Sequence, residues 1–197
     1  MSNRSFERFA GLLAILTGIA GFLYSMAFIV LQSNLLSGLF LMLGGLLSTA
    51  ALVAVYSRLG ETDALFALWA LLLGITGALG STIHGGYDLA NAISPPSSLP
   101  PDLPSQIDPR GLLTFGVAGI ALFFIAWLIG RGEVFPTGLG YLGYLLAVLL
   151  IVLYVGRLIV LTPTSPVILV PAVLAGFLVN PGWYIWLGFT LWRGPSA

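Results

Sequence analysis

Six apolar runs, each about as long as a bilayer is deep, dominate this 197-residue sequence. A hydrocarbon core about 30 Å thick takes roughly 20 residues of helix rising 1.5 Å per residue. The runs from Phe9 to Leu31, Leu35 to Tyr56, Asp63 to His84, Gly111 to Gly130, Gly138 to Leu161 and Val167 to Trp192 all reach that length. Inside lipid every backbone N–H and C=O needs an internal partner, and a long continuous apolar run meets that need as a helix. The chain is therefore expected to be all-α. It reads as a single domain over 1–197, a polytopic membrane protein built as a bundle of six transmembrane helices.

Charge supports the same reading and excludes the main alternatives. Charged residues make up 7% of the chain, against about 25% in an ordinary soluble domain. Seven basic residues, all Arg, balance seven acids, so no net field draws nucleic acid. The absence of Cys and Lys removes disulfides, thiolate metal sites, Schiff bases and P-loop chemistry. Arg4, Arg8, Arg58, Arg131 and Arg193 fall on one side of the six spans, with Arg110 and Arg157 on the other. Under the positive-inside rule both termini are expected in the cytoplasm. Trp183, Tyr184, Trp186 and Trp192 are expected to form an aromatic belt at that inner interface. Arg4 and Arg8 ahead of an apolar run and Ser25-Met26-Ala27 imitate a cleavable secretory signal. The run continues through Phe28-Ile29-Val30-Leu31, however, so the first helix is expected to be retained.

The helix ends carry local signals. Asp108-Pro109 and Ser165-Pro166 read as an N-cap followed by Pro at the first helical position. Glu61 and Asp63 place negative charge at the start of the third helix. Arg58 with Gly60, and Gly130 with Arg131, read as stops. The one long connection, Ser94 to Pro109, holds six Pro and four Ser in sixteen residues. It is expected to be an extended outer loop, either a passive spacer or a cover over the bundle mouth.

Small residues mark close helix contacts in lipid. Ala14, Gly18, Gly21 and Ser25 form one such stripe, and Ala70, Gly74, Gly77 and Ser81 another, so each is expected to pack closely, one candidate partner being the other. Extending the second stripe by helical steps reaches His84, Asp88 and Asn91, with Tyr87 beside them. Ionisable groups at membrane depth cost about 2.5–3.5 kcal/mol against lipid, so they are expected to face inward. The candidate site is therefore an outer polar cluster of His84, Tyr87, Asp88, Asn91, Arg110 and Arg157, with Arg157 the expected partner of Asp88. Two readings stand: an ion pair tying the third helix to the fifth, or a small pocket beneath the Pro-rich loop. Asn180-Pro181-Gly182 predicts a kink in the last helix.

Other chemistry finds little footing. One His without Cys is a poor start for a metal site, although His84 with Met26 or Met42 could in principle hold a haem. Neither a nucleophile elbow nor an intramembrane-protease motif is present. No metal or cofactor is expected, and no enzymatic activity. The opening Arg8-Phe9-Ala10-Gly11-Leu12-Leu13 and the closing Pro181-Gly182-Trp183-Tyr184-Ile185-Trp186-Leu187-Gly188-Phe189, with Leu191-Trp192-Arg193, resemble small uncharacterised bacterial six-span membrane proteins. The resemblance implies a bacterial plasma (inner) membrane and carries no activity or site residues. The expected function is a non-catalytic scaffold or accessory subunit of a membrane complex; the alternative is a small-solute or ion transporter. Expected partners are the lipid bilayer and other membrane subunits or further copies of the chain, without nucleic acid.

Overall fold

A computed structural model describes residues 3–95, 109–160 and 164–194. Six helices within them are long and apolar enough to cross a membrane: α1 (Arg4–Val30), α2 (Asn34–Leu59), α3 (Ala64–Ile93), α4 (Leu112–Arg131), α5 (Thr137–Ile159) and α6 (Pro166–Arg193). Among the described residues there is no strand, and the fold is a helical bundle. Positions 96–108, most of the Pro-rich connection, and 161–163 lie outside the described residues.

Several helix starts follow from side-chain caps. The Ser33 hydroxyl accepts from the Leu36 N–H at 3.4 Å, opening α2, and the Asp63 carboxylate accepts from the Phe66 N–H at 3.2 Å, opening α3. Pro166 begins α6 where its missing N–H costs nothing, while the Ser165 carbonyl takes the first backbone bonds. The tight reversal between α1 and α2 turns on Gln32, which adopts φ 50°. Gly85-Gly86 leaves α3 unbroken, and the helix runs on to Ile93. A broken turn at membrane depth strands backbone groups, at several kcal/mol each, which outweighs the roughly 1 kcal/mol propensity loss of a glycine. Gly85 serves contact instead: a Cβ there would run into the backbone of Gly38 and Met42 on α2.

Each helix packs chiefly on its neighbours in the chain, and α1 packs extensively on α6. The six helices thus close into a ring. The two small-residue stripes do not meet in direct packing. Gly18 abuts the Pro181 carbonyl and Tyr184 on α6, whereas Gly74 touches Leu52 on α2 and Gly77 touches Ala118 on α4.

The interior of the ring differs between its two halves. The largest wholly buried side chains are Trp183, Leu59, Leu128, Ile129, Leu139, Leu146, Leu187, Leu191 and Val55. All of them sit in the half nearer the termini. Trp183 donates its indole N–H to the Leu139 carbonyl at 3.2 Å and packs on Gly143. It is wholly buried, so it belongs to this plug rather than to an aromatic belt. Tyr184 also turns inward; Trp186 and Trp192 alone of the expected belt are exposed. The opposite half is lined by glycine, alanine and small hydroxyl side chains and encloses a cavity.

Three helices carry a wide π-type turn in that second half: Met26–Val30 in α1, Leu112–Val117 in α4 and Ala175–Val179 in α6. The last lies just before Asn180-Pro181-Gly182, where the kink is expected. Pro181 cannot donate to the Phe177 carbonyl, and α6 absorbs the mismatch by widening over Ala175–Val179, before the proline.

Gly85→Ala is expected to destabilise the bundle by about 1–3 kcal/mol, because the methyl meets backbone that cannot yield. Gly130 has open space around its Cβ position, so Gly130→Ala should be neutral or slightly stabilising. Thermal unfolding of both variants in one detergent separates them; equal melting temperatures contradict the packing assigned to Gly85.

Candidate functional site

The structure divides the expected polar cluster into two parts. Because α3 continues past Gly85, His84 and Asp88 stand one turn apart and face the start of α4. His84 Nδ1 lies 3.2 Å from Thr114 Oγ1, and His84 Nε2 lies 3.5 Å from Asp88 Oδ2. The Arg110 guanidinium approaches the other Asp88 oxygen at 3.4 Å and stacks 4.5 Å over the Tyr87 ring. Four expected residues therefore join α3 to the turn that leads into α4. Asn91 sits half-buried one turn further along α3.

Arg157 does not join them. The expected Asp88–Arg157 pair is absent: Asp88 is taken by Arg110, which stands directly before α4, the neighbour of α3 in the ring. Arg157 lies on α5 and lines the cavity, where it makes no ion pair or hydrogen bond among the described residues. The expected tie between the third and fifth helices is thus a tie between the third and fourth.

The cavity measures about 260 Å³, and all six helices contribute to its wall. It runs from the ends of the helices opposite the termini down to a floor near Leu52, Ile125 and Tyr184. Phe28, Phe40, Phe115, Leu150 and Ile168 make much of the wall apolar. Polar groups enter at Thr17, Tyr24, Ser25, Ser48, Ser81, Thr114, Asn180 and Arg157. Most of the hydroxyls donate within their own helices: Thr17 to the Leu13 carbonyl at 2.8 Å, Ser25 to Gly21 at 3.1 Å, Ser48 to Gly45 at 2.8 Å and Ser81 to Gly77 at 3.1 Å. Small side chains so satisfied can face an apolar space at little cost. The three wide turns all touch this cavity, through Phe28 and Ile29, Thr114 and Phe115, and Ala175 and Gly176. The sequence signal for the third was Pro181; the first two carry none. Both small-residue stripes reach the same space, one through Gly21 and Ser25, the other through Gly74, Gly77 and Ser81.

A second charged group, outside the expected cluster, lies at the other end of the bundle. Arg58 is 4% exposed and grips Glu7 with two bonds, Nε to Oε1 at 3.2 Å and a terminal nitrogen to Oε2 at 2.9 Å. It also donates to the Thr190 and Leu191 carbonyls, at 3.5 and 3.4 Å, and stands 5.4 Å over the Phe135 ring. One guanidinium thereby ties α1, α2, the end of α6 and the α4–α5 connection. A helix-stop reading of Arg58 missed this. The available signal was chemical: an arginine at the end of a span needs an acid on the same side, and Glu7 was one of four on offer.

No protein-family model matches the chain, and neither a curated protein nor a solved structure is similar to it. Its site must be read from its own geometry.

Glu7→Ala leaves the Arg58 charge buried and is expected to cost on the order of 3 kcal/mol. Asp88→Asn, at a pair with longer contacts and more solvent, should cost about 1 kcal/mol or less. The Glu7→Leu/Arg58→Leu double variant should recover part of the first loss. Equilibrium unfolding in mixed micelles measures all three; a larger loss for Asp88→Asn contradicts the ranking.

Proposed function

We propose that this multi-pass membrane protein binds a small solute in the cavity of its hollow half, as a member of the carrier class. The single observation that carries the reading is a space of about 260 Å³ walled by all six helices, with Arg157 in its wall. A scaffold that works through its outer surface gains nothing from such a space. Larger residues could fill it cheaply: a Cβ on Gly44 would meet only Ala20, at 3.8 Å. The wide turns around the space favour the same reading, since irregular backbone at membrane depth is tolerated where it lines a cavity. In this reading the plug around Trp183 closes the termini side, and the solute enters from the other side.

We place the chain in the plasma membrane of a bacterium, in keeping with its resemblance to small bacterial six-span proteins. The five-to-two arginine bias supports cytoplasmic termini, so that the cavity opens outward. The His84–Asp88–Arg110 group beside it stiffens the α3–α4 wall through Thr114. Nothing in this reading calls for catalysis, a metal or a cofactor.

The chain has no Cys, so single replacements report cleanly. Ser25→Cys and Ser81→Cys in sealed proteoliposomes should react with a charged thiol reagent added on the side away from the termini. They should react more slowly with reagent on the termini side, as the protein cycles. Leu139→Cys, in the plug, should resist both. Reaction from neither side removes the solute site; reaction from one side only removes the carrier step and leaves a binding protein.

A further inference from the structure

The solute can be narrowed by charge, donors and size, and the narrowing rests on the cavity being a solute site. We propose that the cavity takes a small organic monoanion, with its carboxylate on Arg157 and an apolar body along the aromatic and aliphatic wall.

Arg157 is the only charged residue among the described lining. At membrane depth it requires an anion or water. Among the described residues the one acid at this end of the bundle, Asp88, is committed to Arg110 and His84. The inventory of donors agrees. Thr17, Ser25 and Ser81 spend their hydroxyl protons on their own helices. Tyr24 and Asn180, by contrast, line the space with no hydrogen bond to any described residue. Arg157, Tyr24 and Asn180 thus face the cavity as donors, and no carboxylate among the described lining would receive an ammonium group. A carboxylate needs that arrangement, and a cation is repelled by it.

Size sets the body. At about 30 Å³ for each water-sized unit, 260 Å³ holds roughly nine such units, which suits a solute of about ten non-hydrogen atoms. The rest of the wall is mainly aliphatic and aromatic, and four of its hydroxyls donate within their own helices, so that body is apolar. An eight-carbon carboxylate such as octanoate fits both limits.

Isothermal titration with octanoate, octanol and octylamine, against protein in phosphatidylcholine nanodiscs and with protein-free discs subtracted, tests this directly. Octanoate should bind saturably at one site, at least about tenfold more tightly than the other two. Arg157→Gln should weaken octanoate roughly tenfold to a hundredfold, the range of a hydrogen bond to a charged group, and leave octanol unchanged. Ala172→Phe, which fills the space, should abolish binding of octanoate while keeping the arginine. If Arg157→Gln does not fold, Arg157→Lys and Ala172→Phe decide, the lysine variant being expected to retain anion preference with reduced affinity. Octanoate binding no better than octanol, or unaffected by loss of the guanidinium, overturns the anion. If octanol then still binds and Ala172→Phe removes it, the solute site survives without its charge preference. Absence of saturable binding by all three removes both. Stabilisation by phosphatidylglycerol discs with no response to octanoate assigns Arg157 to lipid headgroups and also overturns the proposal.

Discussion

Closing six helices into a ring leaves a channel-like space along the axis, and everything else depends on how that space is filled. A helix with its side chains is about 10–12 Å across, so six around a centre leave room for substantial side chains there. In the half near the termini that room is taken by Trp183, Leu139, Leu146 and Leu187, all wholly buried. In the other half the axis-facing residues include Gly21, Gly44, Gly74, Gly77 and Ala172, and the room stays a cavity. The same ring is therefore solid at one end and hollow at the other. Helices gain little by hydrophobic contact in lipid, so closure relies on tight backbone approaches such as Gly11 on Gly188 and Gly38 on Gly85. It is locked where Arg58 joins Glu7 to the final turn of α6.

Charge is distributed to match. The termini-side pair is short, bidentate and buried, and the carbonyls at the end of α6 complete its hydrogen bonds. The pair on the other side is longer and wetter, and works as a brace between α3 and the approach to α4. Arg157 faces the hollow half and is the one cation in its described wall. In a medium where a stray charge costs several kcal/mol, these three settings are three different tasks: closing the ring, bracing its wall and marking its interior.

The coarse fold was legible in the residues because lipid leaves so few solutions. Six runs of the right length and almost no charge between them lead to six helices. Helix starts at Asp63 and Pro166 were legible for local reasons, since caps and prolines act within a turn. What was not legible depended on which helices become neighbours. Asp88 could be assigned to the correct end of the bundle, but the choice between Arg110 and Arg157 needed the ring order. Glu7 and Arg58 lie fifty-one positions apart, and nothing local distinguishes Glu7 from the other acids on that side. Trp183 looked like an interfacial aromatic because its depth was read without its direction. The cavity itself has no motif: it arises where small residues from six separated segments face one axis.

Solvent should reach the hollow half and not the solid one. Amide hydrogen exchange of the protein in nanodiscs, read by mass spectrometry, tests it most directly. The wide turns at Met26–Val30, Leu112–Val117 and Ala175–Val179 should exchange at least about tenfold faster than residues 126–131 and 185–191, which lie beyond the cavity floor. Equal protection of the two groups would contradict a ring that is hollow at one end.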